Sequence, residues 1–226
     1  MKIDDRKYLI SLIREGEHQQ QDFKYGVADP MKLARSVSAF ANTDGGRLLI
    51  GVRDDGLLSG VRSEEEIYVM HQAAYRYCQP EASIKFDIFH VGIGDKKVGY
   101  GKGHVDNRTI VMATIPRSER RPVCAIDEKG RRRAYVRVKD ENIVASPVHL
   151  AIWREEQQLH GASFTYSEEN RTFLHSMSSD NPLTVTQIVR RSRLPRHRVI
   201  VLLARMIRYG LVQLQLIDQQ FRFSLT

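Results

Sequence analysis

Residues 38–56 read SAFANTDGGRLLIGVRDDG. A small-residue helix end runs into Gly45 and Gly46, then into the apolar run Arg47–Val52, then into Asp54-Asp55-Gly56. Two adjacent glycines permit a tight turn directly into a central strand. Asp and Gly tolerate the positive φ of a hairpin turn, so Leu57–Val61 is expected to return as a paired strand. This helix–turn–strand–turn unit predicts a buried sheet with a helix laid closely against it. Upstream, Pro30 suits a helix start, and Leu33, Val37 and Phe40 recur at helical spacing. Ala34, Ser36, Ser38, Ala39 and Ala41 keep that helix slim enough to approach a sheet.

The surroundings extend the pattern. Residues 4–14 form an amphipathic helix stopped by Gly16, and Asp22–Gly26 is a short strand. Ser63 and Glu66 have the spacing of a capping box, with a helix expected to run to Cys78 and Pro80 closing it. Strand patterns follow at 83–91, 108–116, 122–127 and 133–139, and Ser146-Pro147 opens another helix towards Gln158. Helices and strands mix without strict alternation, which gives an α+β class with a mixed sheet. The glycine-rich stretch 92–105 lacks the Gly-Lys-Ser/Thr ending of a phosphate-binding loop and reads as a hairpin loop. His90, His104 and His149 have no metal-ligand spacing.

From 167 onward the order is helix, short helix, Pro-started helix and alternating hairpin, the order of a winged helix-turn-helix. The expected organisation is a first domain at 1–158, a linker at 159–166 and the winged helix at 167–226. Charge divides the chain the same way. The net charge is +8 over 226 residues. Residues 161–226 hold nine Arg, no Lys and four acids, a net +5, which leaves +3 for the other 160 residues. Excess positive charge points to an anionic partner, and nucleic acid is the usual one.

Arg196, His197 and Arg198 open the third helix of this tail, where a recognition helix meets base edges, and Arg190, Arg191 and Arg193 stand ready for phosphates. A second basic group, Arg120, Arg121, Arg131, Arg132 and Arg133, with Arg117 and Lys129, surrounds a predicted hairpin suited to phosphate tracking. A solvated hairpin end explains that group equally well. For the winged helix the alternative is dimerisation or protein binding, but its charge lies on the helix that would insert, which favours DNA. Glu17, Asp22 and Asp54, with Lys24 beside them, are residue types that hold Mg²⁺ or Mn²⁺ and stabilise a phosphoryl oxygen.

The residues of 15–24 (EGEHQQQDFK), 38–61 and 121–146 (RPVCAIDEKGRRRAYVRVKDENIVAS) together resemble the Schlafen-type AlbA-like domain, over about residues 5–155. The resemblance implies that Asn42 and Thr43 form a structural corner beside Gly45 and Gly46. It also implies nucleic-acid binding, often in bacterial regulators that carry a winged helix. A further implication is RNA cleavage through three carboxylates, here Glu17, Asp22 and Asp54, with metal required only then. Asp22 stands where the family has Glu, and Arg53 where an acid is common.

The leading reading is a DNA-binding transcriptional regulator. RNA is also admitted as the nucleic acid, and a homo-oligomer is expected. The alternatives are a metal-dependent endoribonuclease and a protein-interaction module of a regulatory or defence complex. No run of about 18 apolar residues exists, so no membrane span is expected. Residues 1–21 are too charged for a signal sequence, and two unpatterned cysteines fit a reducing cytoplasm.

Overall fold

Asp29 starts the helix on which the first part of the molecule is built. Its Oδ1 accepts from the Met31 and Lys32 amides at 2.9 and 3.1 Å, and Pro30 occupies the first helical turn. The computed structural model describes residues 3–90, 109–157 and 167–226. The glycine-rich stretch 92–105, with His104, and the expected linker 159–166 lie outside the described residues. The chain divides into two compact units, one up to Val144 and one from Ala145 to Thr226.

The first unit runs α1 (Ile3–Glu15), β1 (Gln21–Lys24), α2 (Pro30–Asn42), β2 (Gly46–Ile50), α3 (Ser63–His71), β3 (Cys78–Gln79), β4 (Lys85–His90), β5 (Thr109–Ile115), β6 (Cys124–Ile126), β7 (Arg132–Val138) and β8 (Glu141–Val144). One mixed sheet has the order β1-β2-β5-β4, with β1 and β2 parallel. The other is antiparallel, with the order β3-β6-β7-β8.

Strand periodicity divides the core in two. Leu48, Ile50, Val111, Ala113 and Ile115 join the cluster of α2, which also takes in Val123, Ala125 and Tyr135 of the second sheet region. Leu49, Ile110 and Met112 turn to the other face, against Leu9 and Leu12 of α1. The central strands are therefore covered on both faces and read as unbroken apolar runs. Gly46 is required because a Cβ there would lie 2.3 Å from the Phe40 ring. Gly45 takes φ +70° where a Cβ would meet the Arg117 amide at 2.9 Å.

Several local expectations are corrected. Asp54, Asp55 and Gly56 do turn the chain, with the Gly56 amide donating to Arg53 O at 2.8 Å. The return is only a bridge from Val52 to Leu58; Ser59 and Gly60 both donate to Gly51 O, and Val61 bridges to Thr109 of β5. Ser63 and Glu66 make no capping box. Arg62 is the N-cap without a side-chain bond, and Glu66 Oε2 instead accepts from the Val27 amide at 2.8 Å. Helix α3 passes into a π-helical turn over Gln72–Arg76, and Cys78 already belongs to β3.

The second unit contains α4 (Pro147–Glu156), α5 (Glu168–His175), α6 (Val185–Ser192), α7 (Arg196–Arg208) and the antiparallel hairpin β9 (Val212–Ile217)–β10 (Gln220–Leu225). Helices α5–α7 and the hairpin follow the expected order. Helix α4 was expected before the linker, with the first domain; it lies in the second unit, because Val148 is buried in a core with Phe173, Ile188, Val199, Leu203 and Phe223. The hairpin closes through Asp218 and Gln219, both at positive φ, as a two-residue primed turn requires.

His149 lies in the first turn of α4. Its Nδ1 lies 3.2 Å from the Ser146 amide, which donates to it, and its ring stands edge-on to Phe221 at 4.7 Å. Burial pushes its pKa down from 6.5 to about 4. A cationic acid lowered on folding leaves the unfolded chain holding the extra proton between those values. Its stabilising effect is therefore complete above pH 6.5 and lost as pH falls towards 4. The expected loss is about 3 kcal/mol at 1.36 kcal/mol per pKa unit. Denaturant unfolding at pH 7.5 and pH 4 should show this loss in the wild-type chain, and His149→Gln should show a smaller pH dependence by about that amount.

Candidate nucleic-acid interface

Three groups of polar residues were expected to carry function. The carboxylates come first. Asp22 lies in β1 with its side chain buried at 6 % exposure. Its Oδ1 accepts from Arg137 Nη2 at 3.2 Å, and its Oδ2 lies 2.6 Å from Lys24 Nζ. Lys24 Nζ also donates to Phe23 O at 2.8 Å, and Asp22 Oδ2 accepts no hydrogen bond of good geometry. Glu17 is the neighbour of this pair. Its Oε1 accepts from the Phe23 amide at 2.9 Å, and its pKa is raised, first by burial and then by the adjacent Asp22, against the lowering effect of that amide.

Glu17, Asp22 and Lys24 are thus brought together. Asp54 is exposed in the turn after β2. No group of three or more His, Cys, Asp or Glu side chains that could hold a metal ion occurs among the described residues. Asp22 is paired with two cations, Arg137 and Lys24, and no chemical step is routed through a metal.

Sequence reading missed Arg137, which organises this corner. Its side chain is 1 % exposed, with the guanidinium between Asp22 and the Phe40 ring and Cζ 5.0 Å from the ring centroid. Nη1 donates to Asn142 Oδ1 at 3.1 Å, and Asn142 Nδ2 donates to Ser36 Oγ at 3.0 Å. The signals present were the Tyr-x-Arg pattern of Tyr135 and Arg137 within the stretch that resembles the family, and their spacing in β7, which puts both on one face. The three glutamines were also unread. Gln21 Nε2 donates to Leu12 O and Gly16 O, at 2.6 and 2.7 Å. Gln19 Nε2 donates to Arg137 O at 2.8 Å, while its Oε1 accepts from the Lys139 amide.

Asn42 and Thr43 do form a corner. Asn42 is buried; its Nδ2 donates to Val123 O and Tyr135 O at 2.8 and 2.9 Å, and its Oδ1 accepts from the Val123 amide at 2.8 Å. Thr43 Oγ1 donates to Ala39 O and accepts from the Arg137 amide at 2.9 Å.

The second group lies around the β6–β7 hairpin. Asp127 shapes the turn by accepting from the Lys129 and Arg131 amides at 2.9 Å and from Arg131 Nε at 2.7 Å. Those bonds, the Arg131 amide first, hold its pKa below the usual carboxylate range. Arg120, Arg132 and Arg133 are exposed; Arg121 is half-buried and engaged, and Arg131 is tied to Asp127.

The third group lies in the second unit. Helix α6 ends at Ser192, Arg193 turns at φ +58°, and α7 starts at Arg196. Thr184 and Gln187 cap α6 reciprocally. Arg190, Arg191, Arg193, Arg196 and His197 are all exposed around this turn. Arg196 Nη1 touches Thr186 Oγ1 at 3.3 Å. Arg198 differs, because Glu169 holds it through two hydrogen bonds.

A family model described as Schlafen, AlbA_2 matches residues 17–146, well over half of the chain. The chain belongs to the Schlafen AlbA_2 family. That family is generally nucleic-acid-related. The Schlafen AlbA_2 match starts at Glu17 and ends at Ser146, so it holds the acid corner and the β6–β7 hairpin, while the basic turn of the second unit lies beyond it. No curated protein matches the chain. The crystal structure of the DIP2311 protein from Corynebacterium diphtheriae is similar with a TM-score of 0.44 and 16% identity, over 97% of this chain and 39% of that one. The chain thus spans about two fifths of the length of that protein. No helix among the described residues is long and apolar enough to cross a membrane.

The Arg137–Asp22 pair makes a stability prediction. Removing one member of a buried ion pair costs about 3–5 kcal/mol, here with Lys24 left as Asp22's remaining cation. Arg137→Ala should lower the unfolding free energy by about that amount, and adding Asp22→Asn should recover part of the loss. Losses that simply add in the double variant would show that the two groups do not depend on each other.

Proposed function

We propose that the protein is a DNA-binding regulator whose second unit is a winged helix-turn-helix. The observation that carries this reading is the set of five exposed basic side chains around the three-residue turn between α6 and α7. Arg190, Arg191 and Arg193 meet phosphates, where guanidinium geometry suits bidentate pairing. Arg196 and His197, at the start of α7, meet base edges in the major groove. The β9–β10 hairpin is the wing. In the first unit, Arg120, Arg132 and Arg133 add sequence-independent contacts along the backbone. The nucleic-acid character of the Schlafen AlbA_2 family supports the reading.

Fluorescence anisotropy with a labelled 30-bp duplex tests it. Log affinity should fall linearly with log salt, with a slope of about −0.9 per neutralised phosphate. The triple variant Arg190→Ala, Arg191→Ala, Arg193→Ala should make that slope shallower by about 2–3 and weaken binding at every duplex sequence. An unchanged slope in the folded triple variant would remove the α6–α7 turn from the interface.

A further inference from the structure

Three of the four arginines of α7 meet glutamates, in two different ways. Arg205 and Arg208 face Glu155: Arg205 Nε lies 3.4 Å from Glu155 Oε1, and Arg208 Nη1 donates to Glu155 O at 2.8 Å. The Glu155 side chain is only 11% exposed, which makes this a packing contact between α4 and α7. Arg198 is held differently. Its Nε donates to Glu169 Oε1 at 2.7 Å and its Nη2 to Glu169 Oε2 at 2.5 Å. This planar two-point pairing is the one a guanidinium also makes with a phosphate.

The location of the pair decides what it can do. Glu169 is in the first turn of α5, and its side chain is 36% exposed; that of Arg198 is 44% exposed. Water and ions reach both groups, and an exposed ion pair is worth little net free energy. The contact can therefore open at small cost when a stronger anion arrives. Arg198 also stands one residue after His197 and two after Arg196, at the helix start that meets DNA in the proposed function. A duplex docked there brings phosphates close to a guanidinium fork that already has the right partner geometry.

We propose that Glu169 occupies the phosphate-binding fork of Arg198 in the free protein, and that a phosphate of duplex DNA displaces it. The inference rests on the reading of the second unit as the DNA-binding unit. The exchange replaces one anion by another, so Arg198 contributes little to affinity while Glu169 is present. Removing the acid's charge frees the fork.

Duplex binding is compared across salt for the wild-type chain, Glu169→Gln, Arg198→Ala and the double variant, with thermal melts to establish folding. Glu169→Gln should bind roughly three- to tenfold tighter, with a salt slope steeper by about one phosphate. Arg198→Ala should change little in the wild-type background and should abolish the gain in the Glu169→Gln background. Wild-type binding with no gain in Glu169→Gln would overturn this inference alone and leave the pair as a tether between helices. A gain that survives in the double variant would do the same, since it would reflect only the lost negative charge. No salt-dependent duplex binding by the wild-type chain would remove the functional reading, and this inference with it.

Discussion

Asn42 joins the helix at the centre of the first unit to the second sheet. It sits at the last turn of α2, buried, and its amide satisfies the Val123 amide and carbonyl and the Tyr135 carbonyl at once. Those three backbone groups lie where β6 and β7 meet the helix, away from water, and unmet they would be costly. Ser38, one turn earlier, doubles the connection by donating to Val123 O at 2.7 Å and accepting from the Tyr135 amide at 3.0 Å. With β7 fixed in this way, the strand's alternation carries Arg137 onto the Phe40 ring and under Asp22. The acid corner is thus a consequence of how one helix is tied to one strand. In it, Asp22 pairs with Arg137 and Lys24.

The two units use their arginines in opposite ways. In the first, the deepest arginine is interior architecture, and those at the β6–β7 hairpin are divided between turn formation and solvent. In the second, the acids Glu155 and Glu169 engage three arginines of α7, while five basic residues around the α6–α7 turn are exposed. Burial of the partner carboxylate separates these arginines: Asp22 and Glu155 are buried with theirs, whereas the Arg198–Glu169 pair is open to solvent. The three basic residues that open α7 also differ from one another: Arg196 and His197 are exposed, whereas Arg198 is paired with Glu169.

Much of this was legible in sequence because it follows short-range periodicity. The slim helix, the two glycines and the apolar strand of 38–52 were read directly, and so were the three helices and the hairpin of the tail. What could not be read depends on contacts between residues far apart in the chain. Glu66 has capping-box spacing from Ser63, but the Val27 amide, 39 residues away, takes its carboxylate. Leu57–Val61 has strand composition, but it serves two different partners and never pairs as one strand. The run Gln19–Gln21 looks like polar loop, yet each glutamine is tied to backbone or to a charged group that only the fold brings near. Helix α4 was assigned by its place before the linker, whereas its apolar side belongs to the core of the second unit.

The most direct test of the account is amide hydrogen exchange on the full chain, with and without a saturating 30-bp duplex at low salt. The account predicts new protection centred on residues 186–199, across the end of α6 and the start of α7, with weaker protection around the β6–β7 hairpin. Protection confined to the acid corner at Glu17–Lys24, with residues 186–199 exchanging as in the free protein, would contradict it.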